Sequence, residues 1–145
     1  MNHKVAEIEG VGAAQAEKLE TAGIKTVNDL FKMCCEAEGR RTVSETTGIS
    51  EVELRRWSHM ADLMRVTGIG PEYSELLAAA GVLTVKELGR RMPAHLTETL
   101  KEVNTLKNLT RSVPSEKEVT KWVEKAKSMG PNVCESAHLI EKKKA

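Results

Sequence analysis

Aromatic side chains and long apolar runs are both scarce in this 145-residue chain. Aromatic residues make up only 3% of the sequence, although 40% of its residues are hydrophobic. Most of the apolar residues are Ala, Leu and Val, which suit small, closely packed helices and argue against an all-β fold. There is no run of about 18 apolar residues and no charged, apolar leader at Met1, so we expect a cytoplasmic protein with no membrane partner.

An excess of one charge is also missing. The chain has 22 Lys and Arg against 21 Asp and Glu, so no overall field indicates nucleic acid or membrane as the partner. A disulfide framework is not indicated either, because three cysteines are an odd number and Cys34 and Cys35 are adjacent; packing on helix faces explains them. Cys134 and His138 would share a helix face, but a zinc site needs about four ligands. We therefore expect no metal and no other cofactor.

What the sequence does contain is one segment twice. IEGVGAAQAEKLETAGIKTVNDL begins at Ile8, and VTGIGPEYSELLAAAGVLTVKEL begins at Val66. Nine identities between them share a constant offset of 58 residues, and the glycine pairs are Gly10 and Gly68, Gly12 and Gly70, and Gly23 and Gly81. Self-similarity of this length predicts a duplicated structural unit.

The repeat continues more weakly beyond these segments. Ser-Glu precedes a tryptophan in both copies, and Trp57 and Trp122 are 65 residues apart, which implies about seven inserted residues in the second copy. We therefore predict a first unit at residues 1–64, a second unit at residues 65–129, and a polar, flexible tail at residues 130–145. One helix from Ser50 to Val66 would end the first unit and open the second.

Each copy can be divided into helices from local signals. Glycine tolerates positive φ and permits a sharp turn between helices, and Pro71 suits the first position of a helix. Thr26 and Thr84 are N-cap residues, each followed three positions later by an acidic residue, as in a capping box. A longer helix is predicted from Pro93 to Leu106, with one buried face: Leu96, Leu100, Val103 and Leu106.

These spacings resemble the helix-hairpin-helix motif. The matching residues are Gly10-Val11-Gly12 with Ala16, Leu19 and Gly23, and Gly68-Ile69-Gly70 with Ser74, Leu77 and Gly81. The wider layout, roughly His3 to Ser128, resembles a bacterial and archaeal family of tandem helix-hairpin-helix proteins known only as a domain of unknown function. The resemblance implies an all-α fold of four helical hairpins in two pairs, fused through a shared helix, but no established activity. Residues 47–50 and 112–115 would be degenerate hairpins.

The resemblance also implies a nucleic-acid function. Proteins with similar hairpins hold the DNA backbone without reading its sequence, because free amides at a helix N-terminus attract phosphate. The candidate contacts are the hairpin residues Gly10, Val11, Gly12, Ala13, Ala14, Gly68, Ile69 and Gly70, together with a basic helix stripe of Lys117, Lys121 and Lys125. A solvated helix face is an alternative explanation for the stripe.

The side chains beside the hairpins oppose this interpretation. Neither hairpin has a Lys or Arg just after its second glycine, Glu72 puts a negative charge there, and Pro71 removes an amide. Tight helix packing is therefore an alternative role for the glycines.

A protein-interaction adaptor, docking a partner or a second copy of itself, is the alternative function. Catalysis is not expected, because the histidines are scattered and the sequence shows neither a nucleophile motif nor an NTP-binding loop.

Overall fold

The computed structural model describes residues 3–129. Over this range the chain is all-helical, with one 3₁₀-helix, eight α-helices and no β-strand, which confirms the predicted class. None of the helices in this part of the chain combines the length and the apolar character needed to cross a membrane. In chain order they are the 3₁₀-helix Val5–Glu7, α1 (Ala13–Thr21), α2 (Val27–Cys34), α3 (Ala37–Thr47), α4 (Glu51–Leu63), α5 (Pro71–Ala79), α6 (Val85–Gly89), α7 (Pro93–Lys107) and α8 (Glu116–Ser128).

Contacts divide the described residues into two compact units, residues 3–58 and 59–129, and each is described by itself. The division falls within α4, which therefore contributes residues to both units. The predicted boundary after residue 64 and the predicted tail at residues 130–145 stay predictions. The tail, with Cys134 and His138, lies outside the described residues.

In the first unit, α2 shows how the sequence defines a helix. Thr26 caps its start, because the Thr26 hydroxyl accepts from the Asp29 amide and an Asp29 carboxylate oxygen accepts from the Thr26 amide, each at 3.1 Å. The predicted capping box is confirmed here, and its hydrogen bonds from the Lys25 and Thr26 amides lower the pKa of Asp29. The apolar residues of α2 recur at helical spacing and are buried in the unit's core. That core includes Val5, Ile8, Leu19, Ile24, Leu30, Phe31, Val43, Leu54 and Trp57.

The connection from α2 to α3 is only two residues long and brings the helices close together. The Arg40 guanidinium donates to the carbonyl oxygens of Cys34 and Cys35 at 3.0 and 3.1 Å, which satisfies acceptors at the end of α2. A Cβ added to Gly39 of α3 would overlap the carbonyl oxygen of Met33. The absence of a side chain at Gly39 therefore sets the separation of α2 and α3.

The second unit has its own apolar core, built around helices α5 to α8. Its buried members are Leu63, Val66, Ile69, Leu76, Leu77, Val82, Val85, Leu88, Leu96, Leu100, Val119, Trp122, Val123 and Ala126. One charged group is buried in the same unit, since Asp62 is only 1% exposed. Its carboxylate accepts from the Val85 amide at 3.0 Å and from two Arg65 nitrogens at 2.9 Å each. Asp62 therefore links the end of α4 to the start of α6.

The two glycine segments have the same backbone geometry. Gly10 and Gly68 have φ values of 93° and 97°, and the following helices, α1 and α5, are both nine residues long. After each of these helices comes another glycine with positive φ, of 90° at Gly23 and 91° at Gly81. Each turn is closed by a backbone hydrogen bond of 3.1 Å, from Val11 to Ile8 and from Ile69 to Val66.

Helices α4 and α8 also have equal lengths of 13 residues, and they start 65 residues apart. Helix α7 has 15 residues where α3 has 11, and eight residues precede α8 where three precede α4. A shorter α6 offsets part of this gain, because it has five residues where α2 has eight. When the two segments are aligned as the sequence repeat suggests, the extra residues of the second one lie mainly in α7 and in the connection after it.

The predicted helix from Pro93 is confirmed, but its predicted buried face ends early. Leu96 and Leu100 are fully buried, whereas Leu106 is 85% exposed. Near the end of α7, the Asn104 side-chain oxygen accepts hydrogen bonds from the amides of Leu109 and Thr110 at 2.8 and 2.9 Å. The chain therefore reverses direction after α7 and is held to Asn104 by these bonds. The last helical residues of α7 extend past the core, which leaves Leu106 exposed.

The cysteines do not all have the predicted packing role. Cys34 is free and buried, but Cys35 is disulfide-bonded, so the expectation that the cysteines form no disulfide is wrong at Cys35. Burial raises the pKa of the Cys34 thiol to about 11, with a smaller opposite effect of the Arg40 charge. Only about 0.1% of this thiol is ionised at pH 8, and the thiolate is the reactive form.

We expect Cys34 in the folded protein to resist alkylation by iodoacetamide at pH 8. The rate should rise only as the pH approaches 11, and the same thiol in urea should react at the rate of an ordinary cysteine. Because the folded pKa is above the unfolded one, this group should also favour unfolding above about pH 9. Mass spectrometry of the peptide that contains Cys34 measures both rates. Equal rates at pH 8 with and without urea would contradict the burial of this thiol.

Candidate nucleic-acid interface

The first glycine turn has apolar side chains buried in the core on one side and backbone exposed to solvent on the other. The side chains of Ile8 and Val11 are buried in the first unit, and the Val11 amide is used inside the turn, where it donates to Ile8. Gly10, Gly12 and the first helical residues of α1 are exposed. Of the five residues predicted to contact DNA in this turn, Val11 is therefore a core residue that fixes the turn, since neither its side chain nor its amide faces solvent.

Helix α1 begins without a side-chain cap. Gly12 is its N-cap residue, in an extended conformation with φ −75° and ψ 167°, and it has no side chain to accept from the first amides. The amides of Gly12, Ala13 and Ala14 have no hydrogen-bond acceptor within residues 3–129. Free donors and the positive end of the helix dipole are thus presented to solvent at one exposed place.

The second turn has the same backbone but fewer donors. Ile69 is buried and its amide donates to Val66, as Val11 donates in the first turn. Gly70 is the N-cap residue of α5 and has no side chain to cap the helix, but Pro71 follows it and has no amide hydrogen. Exposed Glu72 adds a negative charge in the first turn of the helix. The second turn is therefore the weaker anion site of the two.

A cation stands beside the first turn, although the sequence shows none next to its glycines. Arg56 is an exposed residue of α4 in the same unit. Its Nη1 atom lies 2.7 Å from the position that a Cβ on Gly10 would occupy. The sequence interpretation missed this residue, because only the fold brings together positions 46 residues apart.

The three lysines of the predicted basic stripe lie on one helix, and one of them, Lys121, corresponds in sequence position to Arg56. Lys117, Lys121 and Lys125 are all exposed on α8. Lys121 directly precedes Trp122, as Arg56 directly precedes Trp57. Trp122 Nε1 lies 3.0 Å from the position of a Cβ on Gly68, in the second unit. By this register, Lys121 corresponds to Arg56.

Tyr73, the one aromatic residue that follows a glycine turn, is engaged within its own unit. Its ring centroid lies 5.1 Å from that of Trp122, with the ring planes tilted by 55°. The side chain is half-buried and packs against the apolar core. Tyr73 therefore has a structural contact of its own and is not an open platform for base stacking.

The first unit contains two further features near the start of α1. Among the described residues, two buried side-chain polar atoms lack a hydrogen-bond partner, Gln15 Oε1 and Trp57 Nε1. An open groove of about 400 Å³ also lies in this unit, between α1 and the end of α3. It is lined by Ala14, Glu17, Lys18, Thr21, Thr46 and Thr47. The groove thus carries one positive and one negative side chain, Lys18 and Glu17.

Fold and turns together define an all-helical protein with two compact units, in each of which an uncapped glycine turn starts a nine-residue helix. A family model described as "Domain of unknown function (DUF4332)" matches residues 9–129, and the chain belongs to this family. No curated protein and no solved structure gives a match. Because the family description names no activity, the function has to be inferred from the site.

Proposed function

We propose that this protein is a non-catalytic binding module of helix-hairpin-helix type that holds the DNA backbone without reading its sequence. The two units are interpreted as copies of one ancestral unit, with four helical hairpins in two pairs that share α4. Support comes from the equal glycine backbones, the equal lengths of α1 and α5, and the equal lengths of α4 and α8.

One observation carries the DNA-binding proposal. The turn at Gly10–Ala14 presents amides that have no acceptor in the described part of the chain, at an exposed helix N-terminus. Such amides bind phosphate oxygens through the backbone alone, which positions a protein on DNA without sequence preference. Nearby cations strengthen this interaction by releasing counterions from the DNA.

Gly12→Glu should weaken binding to random-sequence duplex DNA by about tenfold or more, because it puts a carboxylate where the phosphate would lie. A Cβ at Gly12 meets nothing within 4 Å, so the fold should be retained. Gly70→Glu is the matched control, since Gly70 is also an N-cap residue in open space. Its effect should be smaller, because the second turn already has Pro71 and Glu72.

Titrations of duplex and single-stranded DNA at several salt concentrations measure these affinities, and circular dichroism checks helical content. Several phosphate contacts predict an affinity that falls steeply with salt. No detectable binding by micromolar wild-type protein at about 50 mM salt would remove the DNA-binding proposal. An affinity unchanged by Gly12→Glu would instead move the site away from the first turn.

The alternative function is a protein-interaction adaptor or a self-associating scaffold. It is favoured by apolar side chains at both ends of α7, where Met92 is 74% and Leu106 is 85% exposed. Isolated apolar residues are common on protein surfaces, and these two are separated by the length of the helix. Light scattering over a concentration series tests self-association, and a strictly monomeric protein that binds DNA would favour the first proposal.

A further inference from the structure

The position of Arg56 has a consequence for how the first turn binds an anion. Besides its Nη1 atom at 2.7 Å, its Cζ atom lies 3.7 Å from the Cβ position of Gly10, so the guanidinium group lies against the turn. A side chain at position 10 would collide with this group, whereas glycine leaves room for it. The hairpin thus acquires from α4 the positive charge that its own sequence lacks.

A second, independent feature is found at the same place. Trp57 is fully buried, and its indole nitrogen lies 3.5 Å from the same Cβ position of Gly10. This nitrogen has no hydrogen-bond acceptor among the described residues. A buried donor without an acceptor is unfavourable. Because this nitrogen lies beside the turn, a negative charge bound at the turn would stabilise it.

We propose that Gly10–Ala14, Arg56 and Trp57 form one composite site for a phosphate group. The amides of Gly12 and Ala13 bind two of its oxygens, and the planar guanidinium fork of Arg56 matches a pair of phosphate oxygens. The indole N–H of Trp57 adds positive potential at the turn from the side of the protein core. This inference rests on the proposed function for the source of the phosphate, a DNA backbone, whereas the site chemistry also accepts inorganic phosphate.

The second unit shares the tryptophan of this arrangement, but Trp122 is the one side chain from elsewhere in residues 3–129 that lies within 4 Å of the Cβ position on Gly68, so no cation of the described chain lies there. Lys121 occupies the register of Arg56, beside the tryptophan that lies under Gly68. Lysine is a point charge without a bidentate fork, and Pro71 removes one of the amides. The two sites should therefore contribute unequally, with the larger share from Arg56.

Arg56→Ala, with Arg55→Ala as the matched control, tests the composite site. Both residues are exposed arginines of α4, so the two variants change the net charge equally. Arg56→Ala should lower the affinity for random duplex DNA roughly tenfold, as expected for the loss of one charge-assisted phosphate contact, and reduce the salt slope by about one. Arg55→Ala should lower the affinity by less than about twofold and leave the salt slope nearly unchanged. Arg56→Lys should give a loss of affinity between those of the two alanine variants. Thermal melting followed by circular dichroism verifies that each variant is folded.

Equal losses in Arg56→Ala and Arg55→Ala, or wild-type affinity in Arg56→Ala, would overturn the composite site while leaving DNA binding by the protein intact. If the wild-type protein binds no DNA, the proposed function fails, and a titration with inorganic phosphate decides the inference. NMR should then show saturable shifts of the Gly12 and Ala13 amides that Arg56→Ala abolishes. Wild-type amides that do not respond to phosphate would overturn the site.

Discussion

Replacing Gly39 with alanine should destabilise the first unit by about 2–4 kcal/mol, although alanine normally stabilises a helix relative to glycine. The methyl group would overlap the Met33 carbonyl oxygen, which belongs to the backbone of α2 and cannot rotate away. Helices α2 and α3 would have to separate, which loosens the packing around Phe31 and Val43. The steric cost should therefore exceed the gain in helix propensity, which is at most about 1 kcal/mol.

Urea denaturation followed by tryptophan fluorescence measures this effect. The chain has two tryptophans, one in each unit, so a Trp122→Phe background lets Trp57 report on the first unit alone. Thr42→Ala is a suitable control, because Thr42 is exposed on the same helix and its hydroxyl donates only within that helix. The control should change stability by no more than about 0.5 kcal/mol. A Gly39→Ala variant as stable as the control would show that α2 and α3 are not in close contact.

Replacing Asp62 with alanine should destabilise the second unit by about 2–4 kcal/mol. The substitution removes the acceptor of the Val85 amide, which is buried at the start of α6, and leaves the Arg65 guanidinium without this carboxylate. A buried donor that loses its acceptor pays its full desolvation cost. Asp62→Asn should cost less, because the amide oxygen can still accept from Val85.

The matched measurement uses a Trp57→Phe background, in which Trp122 reports on the second unit. Glu98→Ala is the control, since Glu98 pairs with Lys101 at 3.5 Å on an exposed surface of α7. Exposed pairs contribute little, so this variant should lose less than about 0.5 kcal/mol. If Asp62→Ala and Glu98→Ala lose the same small amount, the link from α4 to α6 does not stabilise the unit.

Features that depend on neighbouring residues could be predicted from the sequence. A turn with positive φ requires glycine, so Gly10 and Gly68 were identified without knowledge of the fold. The cap at Thr26 and the helix that starts at Pro93 likewise depend on residues within one turn. The repetition of Trp57 at Trp122 was likewise visible in the sequence, and Trp57 is buried in the structure.

Features that depend on distant contacts could not be predicted in this way. The approach of Arg56 to Gly10 and the hydrogen bond from Val85 to Asp62 join residues on different helices, and neither leaves a local pattern. The spacing of Leu106 suited a buried face, but spacing does not show where the neighbouring helices end. The part of the candidate site formed by backbone was therefore predictable, whereas its cation was not.

Helices α4 and α8 have equal lengths, but they differ in which positions they bury. Met60 and Leu63 of α4 are fully buried, whereas the residues 65 positions later, Lys125 and Ser128 of α8, are exposed. In proteins built from stacked repeats, internal helices are apolar on the faces that meet neighbours, and terminal ones have a polar outer face that keeps the array soluble. At these two positions α8 therefore has the polar character of an outer helix, whereas α4 has the apolar character of an internal one.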